Sequence, residues 1–275
     1  MTAVVTEDLG DGILLVRMNR PDHLNAMNTA LLSGLYDALA AAEKDPAVRV
    51  AILTGEGRAF CAGLDLREGV NPPGTDGGPA GLTDGLGGPQ RGMQVQQFIA
   101  DLMIRIHRLK LPVIAAVNGA ASGGGLALAL ASDIRIAGQS AKFNVAFVKI
   151  GLSGCDVGVS WFLPRILGAS LSQEMLLTGR FMLADEAART GLVSRTVPDD
   201  QLLDSAIETA RLIAGNSPFG VWMTKEVSTA NMGPVSLETA IDLENRTQIL
   251  TTHTKDQKEA VRAFLEKRAP VFKNQ

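Results

Sequence analysis

Cysteine and histidine are scarce in this chain, dense basic runs are missing, and no apolar stretch is long. Each shortage removes a class of function. Two cysteines, Cys61 and Cys155, cannot staple a disulfide scaffold or build a metal cluster. The three histidines, His23, His107 and His253, show no zinc spacing such as HExxH, so no metal is expected. Lys and Arg number 26 against 29 Asp and Glu, a formal net charge of -3, and no basic run is dense enough to track a phosphate backbone. Nucleic acid is therefore not an expected partner. Leu111 to Val117 and Leu126 to Ala131, the most apolar stretches, fall far short of the roughly 20 residues that span a bilayer. The start, MTAVVTEDLG, lacks the basic flank and apolar run of a signal peptide, so the chain reads as cytoplasmic with no membrane partner. What is plentiful is core material. The 275 residues are 46% hydrophobic and 20% charged, enough for one large globular domain or two small ones.

Ile13 to Asn19 and Arg49 to Thr54 read as strands. Between them Leu31, Leu32, Leu35, Leu39 and Ala42 recur at helical spacing behind a polar start at Asn28-Thr29. Residues 71–92 are crowded with Gly and Pro, which predicts a flexible loop, either a tolerated surface insertion or a lid over a ligand. Val95, Phe98, Ile99, Leu102, Met103, Ile106 and Leu109 then trace one face of a long helix that stops before Pro112. Pro112 to Val117 reads as a buried strand, followed by the glycines 123–125, a helix of small residues and a strand at Ile134 to Ala137. This alternation predicts an α/β core over residues 1–198. From Asp199 onward only helical patterns occur, so residues 199–275 are expected to form a helical region that serves oligomerisation and covers a pocket.

A glycine triplet between a buried strand and a helix has two uses. It lets a helix pack closely on a sheet, or it lets backbone N–H groups at the positive end of the helix dipole approach an anion or a developing oxyanion. The run NGAASGGGLALAL fits neither a P-loop nor GxGxxG, and taken alone leaves both uses open. A second segment, Arg58 to Arg67 (RAFCAGLDLR), follows a buried strand and ends in what reads as a helix start, again offering N–H groups from small residues. Two such loops can supply two donors to one oxygen.

With RPDHLNAM, AAVNGAASGGG, GLSGCDVGVSWFLPRILG, TGRFMLADEAARTGLVSRTVP and FLEKRAPVFKNQ, these segments resemble the enoyl-CoA hydratase/isomerase (crotonase) family over essentially the whole chain. The resemblance implies the ClpP/crotonase-like fold, a superhelix of repeated ββα units with a C-terminal helical region, and a homotrimer or dimer of trimers. It implies an acyl-CoA thioester as the partner, with CoA entering as part of the substrate and no separate cofactor. The N–H groups of Leu64 and Gly124 match the oxyanion hole. The Ala62 carbonyl matches the reader of the adenine amino group, and Asp22, His23 and Leu24 match a loop lining CoA. Gly63, Asp65, Leu66 and Gly123 accompany these positions. Arg67 falls where relatives place a basic residue near the CoA phosphates, and Lys273 matches a C-terminal lysine that reaches the nucleotide, often from another subunit. For Arg67 and Lys273 an ordinary solvated surface charge is the alternative.

The chain departs from the family pattern at two places. Hydratases of this type carry a Glu two residues after the glycine triplet and another before the GLSG turn, and here those positions hold Ala127 and Phe147. Neither side chain moves a proton. Asp156, in a turn similar to those of dienoyl-CoA isomerases and halobenzoyl-CoA dehalogenases though one residue longer than the isomerase version, is the remaining candidate for base, acid or nucleophile. Its alternative is a helix N-cap ahead of Val159 to Leu167. Cys61 and Cys155 read as buried small hydrophobes. Ser122 lacks a histidine base, since none occurs between His107 and His253. His107 reads as a helix-face residue, and Glu68 as a charge favourable to a helix start. Three readings follow: an acyl-CoA enzyme with enoyl-CoA hydratase as the family default, an isomerase-type proton shift run by Asp156, and a non-catalytic acyl-CoA binding protein.

Overall fold

The computed structural model describes residues 2–70 and 87–275. β1 (Val4–Asp8) pairs antiparallel with β2 (Ile13–Met18) at the edge of a six-stranded sheet. α1 (Thr29–Lys44) starts where Asn28 accepts the Leu31 N–H at 2.9 Å, and it buries the leucines that the spacing singles out. β3 (Val50–Gly55) and β4 (Ala59–Cys61) precede α2 (Gly88–Arg108). α2 begins with Pro89 in its first turn, which takes residues 88–92 out of the expected loop; residues 71–86 of that loop lie outside the described residues. β5 (Val113–Val117), β6 (Ala120–Ser122) and α3 (Gly124–Ala131) follow, then β7 (Ile134–Gly138) and β8 (Lys142–Asn144).

The ββα repeat has a simple geometry. From β3 to β8, the first strand of each pair joins the six-stranded sheet (β1-β2-β3-β5-β7-β10) and the second joins a four-stranded sheet (β4-β6-β8-β9). The intervening pairings are parallel, as crossover helices require. The inner strands β2, β3 and β5 of the large sheet are buried on both faces, and this is why they read as nearly unbroken apolar runs. Val16, Met18, Ala51, Leu53, Ala115 and Val117 face the helices α1, α2 and α3, while their alternating neighbours Leu15, Ile52, Ile114 and Ala116 face a second core.

That second core is closed by a helix from the C-terminal part. After α4 (Val159–Leu167), α5 (Ala169–Thr178), β9 (Met182–Leu183), α6 (Ala184–Thr190) and β10 (Arg195–Val197), α7 (Leu202–Ala214) lays Leu202, Ala206 and Ala210 on the sheet. α7 is therefore physically part of the α/β core, although its sequence pattern groups it with the helices C-terminal to it. α8 (Pro218–Asn231) is tied down by Lys225, whose Nζ donates to Asp133 at 2.8 Å and to the Leu111 and Ile106 carbonyls at 3.1 and 3.3 Å. α9 (Leu237–Thr252) and α10 (Lys255–Glu266) lie further out. They expose Leu237, Ile249, Leu250, Phe264 and Leu265.

Candidate active site

Two loops separated by some sixty residues meet at the glycine triplet. The first is set by Asn25, a fully buried side chain whose Oδ1 accepts the Arg20 N–H at 2.8 Å and whose Nδ2 donates to the carbonyls of Glu56 and Ala59 at 2.9 and 2.8 Å. These bonds clamp the Pro21–His23 turn onto the β3–β4 corner. The Ala62 N–H then reaches the Leu24 carbonyl at 3.0 Å. Met27 and Leu64 form a parallel bridge, with Met27 N–H donating to Gly63 at 2.7 Å and Asp65 N–H donating to Met27 at 2.8 Å. That pattern uses the neighbours of Leu64 and turns its own N–H away from Met27.

The second loop supplies Gly123, Gly124 and Gly125, each glycine for a different reason. Gly123 adopts φ 52° and ψ -115°, a conformation closed to residues with a Cβ, and its N–H donates to Asn144 at 3.0 Å. Gly125 lies so close to β4 that a Cβ would sit 2.0 Å from the Cys61 carbonyl oxygen. Gly124 opens α3. Its nitrogen is 3.5 Å from where a Cβ on Gly63 would stand, so the backbone of the first loop closes on the start of α3 at the residue before Leu64. Among the described residues, neither N–H has an acceptor. Gly125 thus permits close packing, while Gly124 leaves an N–H without an acceptor at the positive end of α3.

The segment after Leu64 does not start a helix. Asp65, 5% exposed, accepts the N–H groups of Arg67 and Glu68 at 3.1 Å each, closing an Asx-type turn, and takes Arg20 Nη1 at 3.0 Å. Glu68, expected to favour a helix start, instead receives Arg20 and the Asn28 amide. Burial pushes the Asp65 carboxyl up, but the Glu68 and Arg67 N–H groups and the Arg20 guanidinium outweigh it and hold it below the ordinary carboxylate range. His23, Asp65 and Glu68 converge within 4.8 Å, yet Arg20 pairs with both carboxylates, so the cluster is an ion-pair network that anchors the loop. Asp22, His23, Leu66 and Arg67 are exposed around it, with Leu24 and Ala62 half-buried. Lys273 stands apart in the C-terminal tail, where its backbone N–H and that of Asn274 donate to the buried Asp256 at 2.8 Å each.

Asp156 does not cap α4. Gly158 occupies the N-cap, and the Val159 N–H bonds to the Asp156 carbonyl at 2.8 Å, because Val157 and Gly158 both take positive φ and carry the Asp156 side chain out of capping position. The half-buried carboxylate instead accepts the Val157 N–H at 2.8 Å and the side-chain amide of Gln96 from α2, both on Oδ1. Gln96 is missed by sequence reasoning, since a polar residue between apolar helix positions reads as solvent-facing. Cys155 is exposed, not buried as expected, because the same turn faces outward. Cys61 is buried, and burial pushes its thiol up to about 12, which makes it a neutral core residue.

Ala127 is fully buried in α3, and Phe147 is buried with its ring 3.2 Å from where a Cβ on Gly123 would stand. His107 meets Trp161 and Phe162 edge-on at 5.5 and 5.3 Å, and burial lowers its pKa, so it packs against aromatic rings as a helix-face residue. A cavity of about 970 Å³ lies between the core and α8–α10, lined among others by Leu130, Asp133, Trp161, Val221 and Thr251. Neither Leu64 nor Gly124 borders it.

A strand–strand–helix repeat that brings two glycine-bearing loops together defines a class, and comparison with known proteins names it. Residues 8–275 match the family model for enoyl-CoA hydratase/isomerase, and the chain belongs to that family of acyl-CoA enzymes. It is 40% identical over 274 residues to the probable enoyl-CoA hydratase EchA12 of Mycobacterium tuberculosis, covering 99% of this chain and 93% of that protein. It is 38% identical to the 1,2-epoxyphenylacetyl-CoA isomerase of Escherichia coli, covering 99% of each. The crystal structure of an enoyl-CoA hydratase from Bacillus anthracis superposes with a TM-score of 0.89 at 34% identity, covering 99% of this chain and 100% of that one. Among the described residues no helix is long and apolar enough to cross a membrane.

Proposed function

We propose that this chain moves a double bond in an acyl-CoA thioester, through an enolate held by the N–H groups of Leu64 and Gly124 and a proton carried by Asp156. What supports this reading is the combination of two acceptor-free N–H groups, on loops that meet at Gly63 and Gly124, with buried apolar side chains, Ala127 and Phe147, at the positions the family resemblance assigns to water-activating carboxylates. Donors preset on a developing oxyanion lower the barrier to enolate formation, typically by about 3–4 kcal/mol per donor. One carboxylate suffices for a proton shift. Asp156 takes a proton from carbon, the C–H electron pair moves into the conjugated system, and negative charge gathers on the thioester oxygen. The same carboxyl then returns its proton to another carbon as the double bond re-forms in its new place.

Around this centre, Ala62, Gly63, Leu66, Arg67 and Gly123 with Asp22, His23 and Leu24 are assigned to the CoA portion, and Asp65 to holding their loop in place. Lys273 is assigned to the nucleotide of a neighbouring subunit within a homotrimer or dimer of trimers. The apolar side chains exposed on α9 and α10 support that assembly. Water addition is the second reading, favoured by the hydratase names of several relatives. Asp156→Asn separates these readings from mere binding: acyl-CoA affinity is retained while double-bond migration and α-carbon deuterium exchange fall by about 10² or more. Exchange within a few-fold of the parent removes Asp156 from the chemistry. Migration without hydration in the parent enzyme selects isomerisation, and hydration alone selects the second reading.

A further inference from the structure

The side chain of Gln96 reaches across from α2 to Asp156, a residue sixty positions away, and does so from a rigid base. Three residues further along α2, Ile99 begins the buried stripe Ile99, Leu102, Met103 and Ile106, which fixes the helix on the core. The Gln96 Nε2 donates to Oδ1 of Asp156, the same oxygen that accepts the Val157 N–H at 2.8 Å. Both donors thus converge on one oxygen, and among the described residues Oδ2 has none.

We propose that Gln96 is a positioning residue that pins Asp156 through Oδ1 and leaves Oδ2 as the oxygen that takes and returns the substrate proton. The proposal rests on the assignment of Asp156 to proton transfer. The terminal torsion of an aspartate is broad and two-fold, so an unpinned carboxylate presents either oxygen over a range of directions. Proton transfer needs one oxygen within hydrogen-bond reach of one carbon, and misplacement by about 1 Å costs up to about 10²-fold in rate. The choice of donor fits the task. Asp65 is held by the Arg20 guanidinium, which neutralises it and suits an anchor. Asp156 is held by an uncharged amide and a backbone N–H, which orient a carboxylate and leave its charge available.

Gln96→Met keeps the length and removes the donor. It is expected to lower kcat for α-carbon deuterium exchange and double-bond migration by about 10- to 100-fold, with KM, acyl-CoA affinity and the thermal midpoint near those of the parent. A structural role alone would move the midpoint and not split kcat from KM. The double variant Gln96→Met/Asp156→Asn is expected to be no slower than Asp156→Asn alone, because Gln96 has nothing left to position. A kcat for Gln96→Met within two-fold of the parent, a rise in KM at constant kcat, or a double variant slower by the product of the single effects each overturns the proposal. If Gln96→Met does not fold, Gln96→Leu makes the same test. These outcomes are separate from failure of the underlying reading, which shows as undiminished exchange in Asp156→Asn.

Discussion

Alanine substitution at each glycine of the triplet should produce three different results, because each glycine is there for a different physical reason. At Gly125 the new Cβ would stand 2.0 Å from the Cys61 carbonyl oxygen, 2.7 Å from its carbon and 2.8 Å from its Cβ. Relief requires α3 and β4 to part by about 1 Å, since real Cβ contacts stay beyond 3.0 Å. α3 is buried along its whole length and β4 is hydrogen-bonded to β6, so neither has room to give. Overpacking typically costs about 1–3 kcal/mol, and a clash between two backbones belongs at or above the top of that range. A loss of about 3 kcal/mol corresponds to a fall of roughly 6–12 °C in thermal midpoint. Gly124→Ala presses on the flexible thioether of Met27, at 3.1 Å from Sδ and 3.3 Å from Cε, meets Gly63 Cα at an ordinary 3.9 Å, and gains the helix propensity of Ala, about 0.5–1 kcal/mol. Its net change should stay within about 1 kcal/mol, with the N–H intact and turnover nearest the parent. Gly123→Ala lies between, carrying about 1–3 kcal/mol of strain from φ 52° and a contact with the Phe147 ring. Urea and thermal unfolding at one fixed protein concentration measure the order. Gly125→Ala within about 1 kcal/mol of the parent, or Gly124→Ala as damaging as Gly125→Ala, would refute the division of roles.

Beyond the effects of Asp156→Asn and Gln96→Met, acid should loosen the loop that carries Leu64. Asp65 is held below the ordinary carboxylate range in the fold, so its contribution is present above the unfolded-state value of about 3.9 and is lost as pH falls through and below it. Asp65→Asn should cost about 1.5–3 kcal/mol near neutrality and flatten the fall in thermal midpoint between roughly pH 5 and 3, and equal slopes for parent and variant would contradict this. Light scattering should give three or six times the chain mass of 29.0 kDa. Lys273→Ala should then weaken acyl-CoA binding only in that assembly, and a monomer of full affinity removes the assignment of Lys273 to a neighbouring site.

The sequence by itself determined the long elements and the loop chemistry. Strands such as β2, β3 and β5 announce themselves because both faces of their sheet are buried, and α1, α2 and α7 because a helix packed on one side repeats its apolar residues every three to four positions. The motifs around Leu64 and Gly124 were also legible, since tight turns and close backbone approach leave glycine few substitutes. Only tertiary structure decided the rest. β4, β6 and β8 are three residues each, too short for any periodicity, and exist as strands because their partners lie alongside. Asp156 has a helix-cap sequence context but no cap geometry, because positive φ at Val157 and Gly158 redirects it toward Gln96. Asp65 starts a turn and not a helix because Arg20, forty-five residues earlier, binds its carboxylate. Spacing along a chain fixes what a helix or strand can bury, whereas a hydrogen bond between distant side chains depends on where two rigid elements come to rest.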